Sequence, residues 1–549
     1  MIGVIAHQDK HSIVREFFEL FKTPWEFYRK GWRYDVLIYV GQDVGRYDLD
    51  DQTARLVFIF ADHKIPFDEA ELSIFSGQDE KAVISYHHIS MPIYGHTARF
   101  NPTQDSFLTD QATQQSVGYI DQTGTVPLVR LGYDLFKEVA FLLSDGQPPE
   151  HAFTPTLDLH IALLRDLMHT FKIYFVEVPP IPYGYNFVAC LTHDIDHPAI
   201  RYHKWDHTMF GFLYRAVVGS AIDVCRRRIP LRHLLVNWKA AISLPLVHLG
   251  LAGDFWHQFD RYLEIENGMP STFFVIPFRN RSGHTMDGVS PRARASGYAA
   301  QDIADHLVML AKEGCEIGLH GIDAWCDCTR GYEEREEVIR TSRTDTVGVR
   351  MHWLYFDAQT PVALERAGFA YDSSMGYNET VGYRSGTTQV FRPLRATQLL
   401  ELPLHIMDTA LFFPCFMNLS ALAAEERVHH IIQAACRLGG AVTINWHDRS
   451  LAPERLWGEF YVDLIEELKS RRPWFATAAQ AVAWFRKRRS VRFHRVQQHS
   501  TVIRADISDY ADCELPGLLL RRHAWPNSHS SQAYSDASLT SSTLVSPLA

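Results

Sequence analysis

Apolar and polar positions along residues 186–489 follow a repeating order of apolar run, polar loop and amphipathic helix. The helix predicted over 301–314 has one apolar face and ends at a glycine, and a second is predicted over 360–368. Strands that alternate with such helices form a parallel sheet of βα units. The strands are predicted at "VACL" (188–191), "STFFVIPF" (271–278), "CEIGLH" (315–320), "VGVRMHWLYF" (347–356), "FAYDSS" (369–374) and "AVTINWH" (441–447).

The flanking parts of the chain follow other patterns. Residues 1–180 mix short apolar runs with helical stretches and predict a smaller N-terminal α/β domain, in which no catalytic motif is found. The segment "VPPIPYGY" (178–185) is predicted to be a linker. Residues 490–549 predict a short β-like piece followed by a disordered Ser-rich tail, because the tail has too few large apolar residues to order itself.

Composition narrows the class of protein. The chain has 549 residues, 46% of them hydrophobic and 21% charged, which is typical of globular proteins of several domains. The net formal charge of −10 argues against a nucleic-acid partner. Eight scattered cysteines indicate reduced thiols, and the N-terminus lacks a secretory pattern. The weakly polar run 240–253 is too short to span a bilayer. We therefore expect a soluble cytoplasmic protein.

Titratable side chains lie where the predicted strands end. Because the carboxyl ends of parallel strands meet at one edge, and active sites of such sheets lie there, these side chains are expected to converge. A single one of them would most often be a satisfied buried group or a helix cap, but five strands with the same feature indicate a site. The residues are Asp194, Asp196, His320, Arg350, Asp372 and His447.

Aspartate and histidine in this combination favour a divalent metal such as zinc. A catalytic metal with an open coordination position polarises a carbonyl and activates water. A further carboxylate can accept a proton from the water, and a further histidine can donate one to a leaving amine. Of Asp194 and Asp196, one can bind the metal while the other acts as the base.

Five segments, in this order and spacing, resemble the motifs of the polysaccharide deacetylase family, the NodB-homology carbohydrate esterases, in a variant with an aspartate-x-aspartate first motif. The resemblance covers about 186–489 and implies a deformed (β/α)7 NodB-type barrel, a divalent metal and hydrolysis of an N-acyl group on an amino sugar. The segments are "LTHDIDHP" (191–198), "EIGLHGIDAW" (316–325), "GVRMHW" (348–353), "AGFAYDSS" (367–374) and "TINWH" (443–447).

The resemblance also implies a role for each matching residue. Asp194 would be the general base, oriented by Arg350, while Asp196 and His320 would bind the metal. Because one residue separates the two aspartates, their roles could also be exchanged.

His447 would be the general acid, with a carboxylate behind its ring to favour the protonated form. Asp372 is preferred for that carboxylate because it matches the fourth motif, and Asp408 is the alternative.

The third metal ligand is left open. Family members carry a second histidine about one helical turn after the first, whereas the position four residues after His320 is Ala324. Asp323, Cys326 and His197 are the candidates, in that order.

The sequence thus predicts a metal-dependent, zinc-type hydrolase that removes an N-acyl group, most simply acetyl, from an amino sugar of a polysaccharide or envelope glycan precursor. A catalytically degenerate barrel that binds a glycan or a partner, and a deformylase or amidase acting on a lipid-linked sugar, are the alternatives. The insertion at 205–253 combines apolar residues with Arg226, Arg227, Arg228 and Arg232, so it is either a flap over the barrel or a peripheral membrane contact.

Overall fold

A computed structural model describes most of the chain. The described residues are 1–41, 54–68, 75–76, 82–87, 89–101, 105–227, 229–285, 287–496, 503–507, 514–523, 534–539 and 543–545.

The N-terminal part is built on one mixed sheet with the strand order β2-β1-β3-β4-β11-β10-β9-β6-β7. The first five strands in that order run parallel and the others antiparallel. Apolar side chains of α1 cover the sheet at helical spacing. The elements are β1 (Ile2–Ala6), α1 (His11–Phe21), β2 (Trp25–Phe27), β3 (Val36–Val40), β4 (Leu56–Phe60), β5 (Phe75–Ser76), β6 (Ala82–Tyr86), β7 (Ile89–Ile93), β8 (Ala98–Arg99), β9 (Ser106–Asp110), β10 (Ser116–Asp121), β11 (Leu128–Leu131), α2 (Leu135–Ser144) and α3 (Thr156–Thr170).

The predicted linker is a packed segment. Pro179 and Pro180 are buried, and the carbonyl of Pro180 accepts a hydrogen bond from the backbone N–H of Gly440. Close by, the buried carboxylate of Asp158 on α3 accepts hydrogen bonds from Thr387 and Thr388. The N-terminal sheet and the following domain are therefore joined by specific polar contacts.

The second sheet is parallel, as predicted, and its strand order is β18-β17-β14-β13-β20-β19. Strand β13 lies in its middle, pairs with β21 as well, and is buried along its whole length. A strand covered on both faces needs continuous apolar character, which "VACL" supplies. The strands of this sheet are β13 (Val188–Ile195), β14 (Ser271–Val275), β17 (Glu316–Gly321), β18 (Val349–Met351), β19 (Ile406–Met407), β20 (Ala441–Asn445) and β21 (Trp474–Phe475). Outside this sheet, β12 (Phe175–Glu177) pairs with a C-terminal strand, and β15 (His284–Thr285) pairs with β16 (Gly288–Val289).

Helices surround this sheet and connect its strands. Pro361 lies in the first turn of α10 and Gly368 ends that helix with a φ of 83°, as the sequence predicts. The helices are α4 (His207–Leu213), α5 (Ser220–Cys225), α6 (Leu231–His248), α7 (Phe259–Glu266), α8 (Ala304–Lys312), α9 (Cys328–Ser342), α10 (Thr360–Ala367), α11 (Asp408–Phe412), α12 (Ala421–Leu438), α13 (Gly458–Ser470) and α14 (Ala478–Ser490).

Two predicted strands are shorter than expected by more than half. Within 369–374 only Asp372 pairs, through isolated bridges to Val349 and Glu401, and β18 ends at Met351, where the chain turns into a 3-10 turn. The parallel sheet is thus observed, while the exact (β/α)7 count stays a prediction. The early end of β18 matters for the site because it redirects the side chain that follows.

The C-terminal segment carries strands where the sequence predicted a disordered tail. Residues 534–539 pair along β24, and 543–545 pair with β23, because backbone hydrogen bonds to a neighbouring strand order a segment that has few apolar side chains. The prediction is wrong for these two stretches, and the rest of the tail lies outside the described residues. The strands are β22 (Arg492–Arg495), β23 (Ile503–Asp506), β24 (Leu518–His523), β25 (Tyr534–Leu539) and β26 (Thr543–Val545).

Candidate metal centre and catalytic site

Three side chains converge at the carboxyl edge of the parallel sheet: Asp196, His320 and His352. They follow or end β13, β17 and β18, and their ligand atoms all lie within 4.8 Å of one another. Oδ1 of Asp196 is 3.4 Å from Nε2 of His320 and 3.5 Å from Nε2 of His352. The three atoms thus form a compact donor set of one oxygen and two nitrogens.

The donor set fits a divalent metal. Oδ1 of Asp196 is buried and has no hydrogen-bond partner, which is costly unless a cation occupies the space beside it. Nδ1 of His320 lies 3.1 Å from the carbonyl of Arg350, so that nitrogen carries the hydrogen and Nε2 keeps its lone pair. Burial lowers the pKa of His352 well below its usual range, so its ring is neutral, as a ligand must be.

The backbone after His352 is strained and is held by a buried arginine. Trp353 and Leu354 have φ values of 63° and 52°, a region that costs non-glycine residues about 1–3 kcal/mol each. The guanidinium of Arg294 donates to the carbonyl of His352 from Nη2 (2.8 Å) and from Nε (3.2 Å). It also donates to the carbonyl of Ile322 at 3.0 Å. Arg294 therefore ties the turn that presents His352 to the loop after β17.

Replacing Arg294 is expected to weaken metal binding. Loss of a residue that supports a ligand typically costs about 10–100-fold in metal affinity, so Arg294→Met should lower zinc affinity by that factor. A competition titration against a chelator measures it. Arg294→Lys keeps the charge but not the planar set of donors, so its zinc affinity should lie between that of the parent and that of Arg294→Met. Arg279→Met, which removes an exposed arginine paired with Asp302, is the control. Unchanged affinity in a folded Arg294→Met protein would contradict the assignment.

Asp194 lies beside the donor set in a different environment. Its Oδ1 accepts from Nη1 of Arg350 at 3.0 Å, its Oδ2 accepts from Nδ2 of Asn445 at 2.7 Å, and the carboxylate is almost fully buried. Oδ2 is 3.8 Å from Nε2 of His320. Arg350 is itself buried and donates to Thr192. Two fixed donors thus hold Asp194 next to the donor set without making it one of the three ligands.

His447 also lies beside Asp196, with its Nε2 3.8 Å from Oδ2 of that residue. Nδ1 of His447 lies 2.6 Å from Oδ1 of Asp408, and the backbone N–H of His447 donates to Oδ2 of the same carboxylate at 2.7 Å. Burial alone would lower the pKa of His447, but the charge of Asp408 outweighs it and raises the pKa to about 9. The ring is therefore an imidazolium at neutral pH and can donate a proton from Nε2.

The preference for Asp372 as the partner of His447 is wrong. Oδ1 of Asp372 accepts from the backbone and hydroxyl of Ser374, and burial raises the pKa of this carboxyl to about 6. The reason is strand order, because Asp372 bridges to Val349 and Glu401 on the far side of the sheet. Asp408 directly follows β19, which pairs with the strand that ends just before His447.

The three proposed third ligands do not join the donor set. Asp323 forms ion pairs with Arg330 (2.7 Å) and His284 (3.1 Å). Cys326 is exposed, and partial desolvation raises the pKa of its thiol to about 11, which disfavours the thiolate that a metal needs. His197 contacts His203 through Nδ1. The third member of the donor set is His352. The sequence held a signal for it, since His352 lies in the third matched segment, two residues after Arg350.

His447 supplies a prediction about its partner. Asp408→Asn should lower the pKa of His447 from about 9, because the buried carboxylate is what stabilises the imidazolium. An NMR titration of the imidazole in metal-free protein measures this, and Asp372→Asn, which should leave the pKa unchanged, is the matched control.

The raised pKa of His447 also predicts how the stability of the protein depends on pH. Because its folded pKa lies above the ordinary 6.5, His447 contributes stability that is fully present below pH 6.5 and is lost as pH rises through about 9. That loss in the metal-free protein should be smaller in Asp408→Asn. An unshifted pKa in Asp408→Asn would refute the pairing.

Comparison with known proteins gives the following. No family model and no curated protein matches this chain. Among solved structures, a candidate polysaccharide deacetylase from Mycobacterium smegmatis matches 56% of this chain and 95% of its own, with 20% identity and a TM-score of 0.35. The structure of an allantoinase matches 55% of this chain and 91% of its own, with 14% identity and a TM-score of 0.32. A family 4 acetyl xylan esterase from Clostridium thermocellum, solved with a cobalt ion, matches 54% of this chain and 91% of its own. Its identity to this chain is 14% and the TM-score is 0.24.

Proposed function

We propose that this protein is a metal-dependent hydrolase that removes an N-acyl group, most simply acetyl, from an amino sugar of a polysaccharide or envelope glycan precursor. The observation that carries the proposal is that a fixed carboxylate, Asp194, and an imidazolium, His447, each lie 3.8 Å from a member of the donor set. A base and an acid beside the metal ligands are what amide hydrolysis requires.

The metal would be held by Asp196, His320 and His352, and zinc suits one carboxylate and two imidazoles. When bound, it supplies a positive charge that polarises the amide carbonyl and stabilises the oxyanion that develops there. Everything else in the reaction falls to the side chains of this chain.

Asp194 accepts a proton from the attacking water. Hydrogen bonds from Arg350 and Asn445 keep its two oxygens in place. The new C–O bond forms at the amide carbon. His447 then donates its Nε2 proton to the nitrogen as the C–N bond breaks, and Asp408 stabilises the ring in the charged form. The products are a carboxylic acid and the free amine of the sugar.

The direct test is release of acetate from N-acetylated amino-sugar oligomers by purified protein. Release should stop when a chelator removes the metal and return when zinc is added. Formate release from N-formyl sugars without acetate release would favour the deformylase alternative. A purified protein that binds no metal and releases neither acid would instead support the degenerate, glycan-binding barrel.

A further inference from the structure

The insertion after β13 forms a helical hairpin, defined here as residues 207–248. Its first arm runs through α4, a π-helical turn over 214–219 and α5, and its second arm is α6. More than half of the large apolar side chains that are exposed in the described part of the chain lie between Trp205 and Leu251. Isolated apolar residues at a surface are ordinary, but a contiguous set marks an interaction surface.

Helix α6 has two apolar faces. One face is buried against the protein and contains Leu234, Ala240, Leu244 and Val247. The other faces outward, with Ile242 78% exposed, and its residues recur at helical spacing. They are Leu231, Leu235, Trp238, Ile242 and Leu246, continued past the helix end by Leu249. A helix in water needs only one apolar face, so the outer face indicates a second apolar environment.

The first arm repeats this arrangement. Phe210, Tyr214, Val218 and Ile222 are exposed at helical spacing. The two outer faces adjoin, since the indole Nε1 of Trp238 lies 3.4 Å from the carbonyl of Val217, which is also exposed. Together they form one apolar surface, which we call the outer surface of the hairpin. The first arm of the hairpin, His207–Cys225, is also the one helix among the described residues that is long and apolar enough to cross a membrane.

The inner faces attach the hairpin to the edge of the sheet that carries the site. Phe212 packs on Trp256 in a cluster that includes Ile200 and Ala452. Ile200 follows the strand of Asp196, and Ala452 follows His447 by five residues. The guanidinium of Arg449 stacks over Trp256 at 4.5 Å. Since both arms are fixed to protein along one side, they cannot be surrounded by lipid and can only lie on a surface.

The charge of the hairpin points to the kind of surface. Arg226 and Arg227 are exposed at its turn, Lys239 is exposed beside the apolar residues of α6, and Arg232 pairs with Glu459 of α13 at 3.1 Å. Arg228 lies outside the described residues. Asp223 is the acidic residue within the hairpin, whereas the whole chain has a net charge of −10. An apolar face bordered by arginine and lysine is the pattern of helices that lie in the headgroup region of anionic membranes.

We propose that the outer surface of the hairpin binds the face of an anionic phospholipid bilayer, with its apolar side chains among the acyl-chain ends and its basic residues at the lipid phosphates. The binding does not depend on the proposed hydrolase activity and can be measured without a substrate. It would place the sheet edge that carries Asp196 and His447 near the membrane.

Flotation with lipid vesicles tests this proposal. The full-length protein should float with vesicles of phosphatidylcholine mixed with phosphatidylglycerol at low salt. It should float less with them at high salt, and least with vesicles of phosphatidylcholine alone. Equal flotation on both vesicle types, or none on the anionic ones, would overturn the proposal.

Matched variants separate the contributions of the two kinds of residue. Arg226→Gln with Arg227→Gln should lower partitioning about 25-fold, since a basic residue near an anionic surface contributes about fivefold. Leu235→Glu with Ile242→Glu should lower it by about tenfold or more, because two charges would enter the apolar layer. Leu422→Glu, at a 77% exposed leucine on α12, is the control and should bind as the parent does.

Two further measurements guard the interpretation. Thermal unfolding of Leu235→Glu with Ile242→Glu should match the parent, since the two side chains are 60% and 78% exposed. Sedimentation without vesicles should show the same oligomeric state for both proteins. If the parent is a dimer that these substitutions dissociate, a second copy covers the outer surface. If Leu422→Glu loses as much flotation as Leu235→Glu with Ile242→Glu, the outer surface is not the membrane-binding site.

Discussion

Turnover by Asp194→Asn is expected to fall by about 10²–10⁴-fold, the usual contribution of a general base, while the protein keeps its metal. Asparagine retains the size of the side chain but cannot accept a proton from water. Asp194 is held by Arg350 and Asn445 rather than being one of the three grouped ligand residues, so metal content should be that of the parent. Acetate release and bound zinc, measured on the same preparation, test both statements.

His447→Ala is the companion variant and should lower turnover over the same range, because the leaving nitrogen loses its proton donor. Asp323→Asn is the matched control, since this carboxylate pairs with Arg330 and lies outside the donor set. Loss of zinc from Asp194→Asn would mean that the roles of the two aspartates are exchanged, and full turnover in that variant would exclude it as the base.

Bound metal is expected to be lost from His352→Ala. Removing a residue that only supports a ligand already costs about 10–100-fold in affinity, so removing a ligand should cost more. Catalytic zinc normally has three protein ligands, and two would remain. Elemental analysis after dialysis against a weak chelator should show near-stoichiometric zinc in the parent and little in the variant. Turnover should fall with the metal and recover in part at high zinc concentration.

The same measurement on His197→Ala, Asp323→Ala and Cys326→Ala provides the controls. Each of these residues has partners of its own outside the donor set, so each variant should retain zinc. Stoichiometric zinc in His352→Ala together with its loss from one of the three would show that the third ligand is that residue.

Local pattern was enough to predict the parallel sheet and several of the side chains that meet at one edge of it. The strand–helix alternation over 186–489 predicted a parallel sheet, and the rule that strand ends converge predicted that Asp194, Asp196, His320 and His447 would meet. These inferences succeed because hydrophobic period and strand direction are properties of short segments. The position of Arg350 next to Asp194 was also expected from the sequence.

Which residues become partners was decided only by the tertiary structure. The sequence favoured Asp372 over Asp408 as the partner of His447, but strand order places Asp372 beside Glu401 and Asp408 beside His447. His352 reaches the donor set because β18 ends early and Arg294, far away in sequence, fixes the turn that follows.

The outer surface of the hairpin likewise depends on both the local sequence and the tertiary structure. The sequence supplied the apolar and basic residues of 205–253, but an apolar residue can face a core or the solvent. The packing of the inner faces on Trp256 decided which set stayed outside. A sequence therefore determines which elements form and what chemistry they carry. Strand order, early strand ends and packing faces depend on contacts between distant segments, which no local pattern encodes.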